Sequence, residues 1–378
     1  MMISTEWIYA VAAVVCAALL AFSATPAVRV LAFKINAVDR VKDGRRMHRN
    51  PIPRIGGLAM FFAFFISTLV FCDLTHDLVA VWIGGAILVL LGIFDDVFAL
   101  KAWMKALVQI AVSFIPVCLG VRISFFNWGG VPTPLGGWSI PVTVLWIVAL
   151  TNAVNLIDGL DGLACGVSMI GSISLAMVTL LNGNTYYALL ASLLAGSCIG
   201  FLPFNANPAK IIMGDTGSLF LGYTLSVLSI GGVFKVHAVL SFLIPLSIFG
   251  LPLFDTCFAV VRRIVRGKNP FSADRGHLHH RLVDMGFGHK QSVRILYSIS
   301  GLLGIAAVLL TEESHLPALC LITAAVGLYI VLYFIMKNKA LRSLTGLENI
   351  DPHPEDIVSE DTEKLSQKSP QNPDGQAP

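Results

Sequence analysis

Apolar residues fall in long unbroken blocks along this chain rather than at alternating positions. Eleven such blocks can be read, at 7–28, 55–72, 78–94, 106–121, 138–157, 163–181, 186–204, 216–234, 239–261, 295–311 and 316–336. Each is near the ~20 residues that an α-helix needs to cross a bilayer. Ten contain no Asp, Glu, Lys or Arg, and the ninth contains only Asp255, near one end. The pattern predicts an all-α polytopic membrane protein with about eleven transmembrane helices. No basic flank precedes the first block and no small-residue cleavage pattern follows it, so it is read as a retained helix rather than a signal peptide.

The polar interruptions carry the orientation. The stretch at 34–54 holds Lys34, Arg40, Lys42, Arg45, Arg46, Arg49 and Arg54, and the stretch at 262–294 holds Arg262, Arg263, Arg266, Lys268, Arg275, Arg281, Lys290 and Arg294. Lys101, Lys105 and Lys210 alternate onto the same side, and only Arg122 and Lys235 fall on the other. Basic loops stay in the cytoplasm, so the N-terminus is expected outside and the C-terminus inside. The outer loops are short apart from 122–137, where Pro132-Thr-Pro134-Leu-Gly136-Gly137 reads as turns between the interfacial Trp128 and Trp138. Residues 1–340 are thus expected to form one membrane domain without internal repeat. The segment 341–378 is polar, Pro-containing and acidic from Asp351 on, and is expected to be a disordered cytoplasmic tail.

Composition agrees. Of 378 residues, 56% are apolar and 13% charged, with a mean hydropathy of +0.77; a soluble chain carries about twice that charged share. The net charge of +3 is modest and its pattern points to membrane topology, not to nucleic acid. The seven cysteines are scattered in or beside apolar blocks without a CxxC, so neither a disulfide framework nor a cysteine–metal site is indicated.

Against that background the acidic residues at block ends ask for a reason, because carboxylates are costly in hydrocarbon. Asp95 and Asp96 end the third block. Asn152, Asn155, Asp158 and Asp161 recur every third residue around the end of the fifth, which on a helix makes one drifting polar stripe. Asp215 opens the eighth in Met213-Gly-Asp-Thr-Gly-Ser218. Under the predicted topology these carboxylates, with Asp255, gather at the cytoplasmic face. Any one could be a plain helix cap. Together, carboxylates and amides without paired cysteines suit a hard cation, Mg²⁺ with Mn²⁺ as the alternative, bridged to substrate phosphates.

Basic segments supply the other half. Pro51-Ile-Pro-Arg54-Ile-Gly56-Gly57 opens the second block with glycines that could bring backbone amides to a phosphate. Lys105 lies nine residues beyond Asp96. The run Asp274-Arg275-Gly-His277-Leu-His279-His280-Arg281 is expected to bind phosphate through Arg and charged His. A zinc site is the weaker reading, having neither cysteine nor HExxH, and contact with anionic lipid headgroups is the bland one.

As an ordered set, His48, Pro51-Ile-Pro-Arg-Ile-Gly-Gly57, Asp95-Asp96, Lys105, Asn155-Leu-Ile-Asp158-Gly-Leu-Asp161-Gly, Met213-Gly-Asp215 and His277-Leu-His279-His280-Arg281-Leu resemble the polyprenyl-phosphate N-acetylhexosamine-1-phosphate transferase family (glycosyltransferase family 4). The His-x-His-His-Arg-Leu run is similar to the WecA/TagO branch. The branch that transfers phospho-MurNAc-pentapeptide has three consecutive histidines, and Leu278 interrupts the run here. The resemblance implies transfer of a HexNAc-1-phosphate, foremost GlcNAc-1-phosphate, from a UDP-N-acetylhexosamine to undecaprenyl phosphate, with UMP leaving. It places the reaction at the cytoplasmic leaflet of a bacterial inner membrane, in a multi-pass enzyme that initiates a cell-envelope glycan, with a homodimer by family analogy. It implies Asp215 and Asn155 as metal-contacting, Lys105 as diphosphate-binding, and Asp95 and Asp96 as the essential pair, one of them the base. Asp158 and Asp161 then shape the nucleotide–sugar pocket. His277, His279, His280 and Arg281, with Arg54 and Gly56, line the substrate side, and Arg49 stands where the other branch has a lysine. A lipid phosphate is largely dianionic at neutral pH, its second pKa being about 6, so direct displacement needs little base; an aspartyl-phosphate intermediate is the other route. A transporter is the rival of another class, but its site would lie near the bilayer midplane in a repeated fold, and no carboxylate sits mid-block here.

Overall fold

The computed structural model describes residues 5–39, 51–128, 131–234, 243–265, 267, 277–312, 314, 316–328 and 331. The chain divides into two units, Met1–Gly327 and Leu328–Pro378. Of the second, only residues 328 and 331 are among those described, so the expected tail lies outside them.

The first unit is helical: α1 Thr5–Lys34, α2 Gly57–Phe71, α3 His76–Phe98, α4 Ala102–Cys118, α5 Ser139–Leu156, α6 Leu163–Leu181, α7 Thr185–Asn205, α8 Gly214–Gly232, α9 Leu243–Ile248, α10 Gly250–Val265, α11 Leu278–Asp284 and α12 His289–Thr311, with an apolar helix, α13, at Leu316–Leu328. A helix falls on each of the eleven apolar blocks. Among the described residues, six are long and apolar enough to cross a membrane: Tyr9–Lys34, His76–Phe98, Gly136–Leu156, Leu163–Leu181, Thr185–Asn205 and His289–Thr311. Large apolar side chains such as Val11, Leu19, Leu90 and Leu145 stand exposed on these helices, as do Val70 on α2 and Leu107 on α4. A soluble monomer seldom presents so much apolar surface; this is a multi-pass membrane protein.

Two departures from the sequence reading have local causes. The ninth block is not one helix but α9 and α10, with a turn at Phe249. Pro252 lacks the N–H that would bond the Ile248 carbonyl, and Gly250 weakens the joint further. The structure is also not wholly α. Two short strands pair antiparallel at Val38–Asp39 (β1) and Ile52–Pro53 (β2), and the 122–137 loop forms a hairpin of Phe125–Trp128 (β3) with Val131–Pro134 (β4), Phe125 opposite Pro134. Aromatic and β-branched residues favour that extended pairing.

Helix α8 is the centre. Every residue from Thr216 to Gly232 is buried, and α8 packs on α2, α3, α5, α6 and α7. Its sequence explains this. Gly, Ser and Thr recur along it, too polar for lipid but suited to close helix contact. A Cβ on Gly57 of α2 would lie 2.0 Å from the Gly217 Cα, and one on Gly92 of α3 would lie 2.3 Å from the Thr216 Cα. The helices alternate in direction, so their connections sort to two ends. At one end Tyr9 bonds the Phe71 carbonyl, Thr75 meets Tyr186 at 2.6 Å, and Tyr187 bonds Asp77. The other end gathers residues 52–57, 95–105, 155–163 and 205–216.

Candidate active site

The site is built around the first turn of α8. No side chain of its own caps that turn. The cap comes from α3: the Asp96 carboxylate accepts the Asp215 N–H at 3.2 Å, the Thr216 N–H at 3.2 Å and the Thr216 hydroxyl at 2.8 Å. Arg54 Nε lies 3.6 Å away, and the Asp96 side chain is fully buried. An anion at a helix N-terminus satisfies free N–H groups and complements the dipole. Gly214 makes the approach possible. Its φ is +70°, and a Cβ there would come 1.9 Å from the Arg54 carbonyl and 2.4 Å from Asp96 Oδ2.

Asp95 faces elsewhere. Its Oδ1 accepts the Leu100 N–H at 2.9 Å, and its Oδ2 lies 3.1 Å from Lys105 Nζ. The same ammonium lies 2.7 Å from Asp215 Oδ2. Lys105 of α4 therefore bridges α3 and α8. The Lys105, Asp95 and Asp215 side chains are 21%, 12% and 16% exposed, against 0% for Asp96. The bridged trio keeps partial solvent access, whereas the Asp96 side chain has none. Asn155, at the end of α5, donates to Ser218 Oγ at 2.8 Å, one turn along α8 from Asp215.

The polar stripe of α5 does not run on as one helix. α5 ends at Leu156, residues 157–162 turn, and Gly162 takes a φ of +79°. Its members separate accordingly. Asn152 braces α5 to α4, donating to Gln109 Oε1 at 2.6 Å. Asp161 holds the neighbouring turn, accepting Asn207 Nδ2 at 2.9 Å and the Ala209 N–H at 3.0 Å. Asp158 lies in the turn, where burial first, and then the charges of Asp215 and Asp96, push its carboxyl up to about 8 against the opposing pull of Arg54. An unfolded aspartate ionises near pH 3.9. Between that value and about 8 the folded chain holds a proton that the unfolded chain has released, so stability falls as pH rises through this window. Thermal midpoints across pH 4–9 should show this fall in the wild type and a flatter profile in Asp158→Asn; equal slopes would contradict the assignment.

The glycine-rich segment before α2 does not cradle a phosphate. The Gly56 N–H donates to the Ile212 carbonyl at 3.0 Å, the Gly57 N–H to the Met213 carbonyl at 2.9 Å, and the Ile212 N–H to the Pro53 carbonyl at 2.7 Å. These amides are engaged in seating the α8 turn, and the glycines allow close packing. Arg54 likewise turns to Asp96.

On the histidine segment, His277 precedes α11, and His279, His280 and Arg281 lie in it. The His277 and His279 rings stack with centroids 5.9 Å apart, and those of His279 and His280 lie 4.2 Å apart. Burial first, and then the adjoining His280, hold His279 down to about 3. That direction favours the neutral ring at physiological pH. His48, Arg49, Asp274 and Arg275 lie outside the described residues. Sequence reasoning missed the roles of Thr216 and Ser218, which look like ordinary small helix residues, and gave none to Asp255, whose signal was its solitary charge in an apolar block.

The donor set fits a hard cation. Asp95, Asp215 and Asn155 offer only oxygen ligands. Among the described residues no group of three His, Cys, Asp or Glu is arranged to hold an ion unaided. Oxygen donors of this kind match the chemistry of Mg²⁺, which keeps waters and takes substrate phosphates as ligands.

Comparison with known proteins places these residues in a wider set. A family model described as Glycosyl transferase family 4 matches residues 78–233, a segment holding Asp95, Asp96, Lys105, Asn155, Asp158, Asp161 and Asp215. The chain is 41% identical to the probable undecaprenyl-phosphate N-acetylglucosaminyl 1-phosphate transferase of Bacillus subtilis, over 86% of this chain and 89% of that protein. It is 36% identical to the decaprenyl-phosphate N-acetylglucosaminephosphotransferase of Mycobacterium tuberculosis, over 77% and 80%. It is 29% identical to the undecaprenyl-phosphate alpha-N-acetylglucosaminyl 1-phosphate transferase of Escherichia coli K12, over 76% and 80%.

Proposed function

The chain belongs to glycosyl transferase family 4, and on that footing we propose that it transfers GlcNAc-1-phosphate from UDP-GlcNAc to undecaprenyl phosphate, releasing UMP. Three similar proteins bear names for this kind of transfer to a polyprenyl phosphate. The observation that carries the reading is the Lys105 bridge between Asp95 and Asp215, partly solvent-accessible at the end of the bundle where four chain segments converge.

Donor diphosphate and acceptor phosphate are both anionic, so catalysis is mostly positioning and charge stabilisation. An oxygen of the lipid phosphate attacks the β-phosphorus in line. The new O–P bond forms as the bond from the β-phosphorus to the oxygen shared with the UMP phosphate breaks, and UMP leaves with that oxygen. Asp95, Asp215 and Asn155 are the residues that would hold Mg²⁺, which supplies Lewis-acid charge to the phosphate oxygens. Lys105 places an ammonium beside the diphosphate and keeps the two carboxylates together. The acceptor already carries its charge, so Asp95 orients rather than deprotonates. Asp96 keeps the α8 turn in place from behind. Asp158 and the histidine segment face the nucleotide–sugar side.

The bundle is read as eleven crossings, with α9 and α10 together making one broken crossing. Lys34, Lys101, Lys210, Lys290 and Arg294 at the site end support a cytoplasmic site, with the N-terminus outside and the C-terminus inside. The membrane is the bacterial inner membrane, where the lipid acceptor and the cytosolic nucleotide sugar meet. A donor panel tests the sugar. UDP-GlcNAc should support UMP release, while UDP-GalNAc and UDP-MurNAc-pentapeptide support little; preference for either of these overturns the assignment.

A further inference from the structure

Asp255 is the only Asp, Glu, Lys or Arg within the ninth apolar block, and nothing in the transfer described above uses it. It lies on α10 and is 4% exposed. Both of its oxygens are engaged by the histidine segment: Oδ2 is 2.9 Å from His277 Nδ1, and Oδ1 accepts the Leu278 N–H at 2.9 Å. The His277 ring and the first amide of α11 thus share one carboxyl group. Asp255 thereby fixes both the ring of His277 and the first turn of α11. A buried carboxylate held by two hydrogen bonds from one segment sets geometry as well as stability, because neither bond tolerates a shifted partner.

The fixed geometry leads towards the α5–α6 turn. His277 is 4% exposed and stacks on His279, itself 2% exposed. The His279 ring rests on Gly159, where a Cβ would come 2.1 Å from Nε2. His280 packs at 4.2 Å beside His279. A continuous contact thus runs from α10 through His277 and His279 to the turn that carries Asp158, just beyond Asn155. Asp161, further along the turn, is pinned to Asn207 and Ala209, so the turn is held on two sides.

We propose that Asp255 is a positioning residue for the donor sugar nucleotide. Through His277 it sets where α11 lies against the Asn155–Asp161 turn, and so where His280, Arg281 and Asp158 meet the nucleotide–sugar. It touches no reacting atom. The inference rests on the transferase reading, and it assigns the effect to the donor and not to the lipid acceptor.

The test is steady-state UMP release by the full-length protein, varying UDP-GlcNAc at saturating undecaprenyl phosphate and the converse. The proteins are wild type, Asp255→Asn, His277→Gln, the double variant and Asp255→Glu. Loss of an orienting partner costs about 10–100-fold. Asp255→Asn and His277→Gln should each raise the KM for UDP-GlcNAc about tenfold while leaving the KM for the lipid near wild type. The double variant should be no worse than either single one, because the two act as a unit. Asp255→Glu, which keeps the anion, should recover part of the loss. Wild-type constants in Asp255→Asn, losses that multiply in the double variant, or equal losses for both substrates would each overturn the proposal. Should Asp255→Asn fail to fold, the comparison of Asp255→Glu with His277→Gln and their double variant decides on the same criteria. A wild-type protein that releases no UMP contradicts the transferase reading instead.

Discussion

Replacing Lys105 with methionine is expected to lower the rate of UMP release by about three orders of magnitude while leaving the protein folded. The ammonium lies 3.1 Å from Asp95 and 2.7 Å from Asp215, so methionine keeps the length of the side chain and removes only the charge that both carboxylates share. Without it, two adjacent anions face an anionic donor, and the site repels what it should bind. Stability should fall less than for loss of the fully buried Asp96, because both carboxylates keep some solvent contact and a proton or a cation can offset their repulsion. Lys105→Arg should retain more activity than methionine, although a planar guanidinium cannot reproduce a point charge between two carboxylates. Thermal midpoints and UMP release on the same preparations check this. A folded Lys105→Met protein within tenfold of the wild-type rate would remove the lysine from the reaction.

The second large effect is on the fold. Asp96→Ala should cost about 3–5 kcal/mol, because it leaves Arg54 and the first turn of α8 without their buried anion. Asp95→Asn, one residue away, should melt near the wild type and yet lose most of its turnover. The two neighbours differ because consecutive residues on a helix point about 100° apart. Asp96 turns inward to the Asp215 and Thr216 amides, whereas Asp95 turns to Lys105. Thermal unfolding in detergent separates them. An Asp96→Ala protein as stable as Asp95→Asn would contradict the capping role.

Much of this was legible in the sequence, and the exceptions share a cause. Uncharged blocks of membrane length located the helices, because a bilayer leaves no alternative for a backbone that must satisfy itself. The spacing of block ends brought Asp95, Asp215 and Asn155 to one end without any knowledge of contacts. What stayed hidden depended on partners far away in the chain. Gly56 and Gly57 read as a phosphate cradle because both uses demand glycine, and only the position of Ile212, Met213 and Gly217 shows that they serve packing. Asp158 and Asp161 looked equivalent, yet one is driven neutral and the other braces the 207–209 turn. Asp255 stood out by its charge alone, and nothing local pointed to His277, 22 residues on. The break in the ninth block, by contrast, was signalled by Gly250 and Pro252 and could have been read.

The most direct measurement uses UDP-GlcNAc labelled with phosphorus-32 at the β-phosphate, undecaprenyl phosphate in vesicles, and the purified protein with Mg²⁺. Label should pass into the lipid phase in one-to-one proportion with released UMP, and Lys105→Met should abolish both. No label in the lipid, or label in the lipid without matching UMP, would contradict the transferase reading.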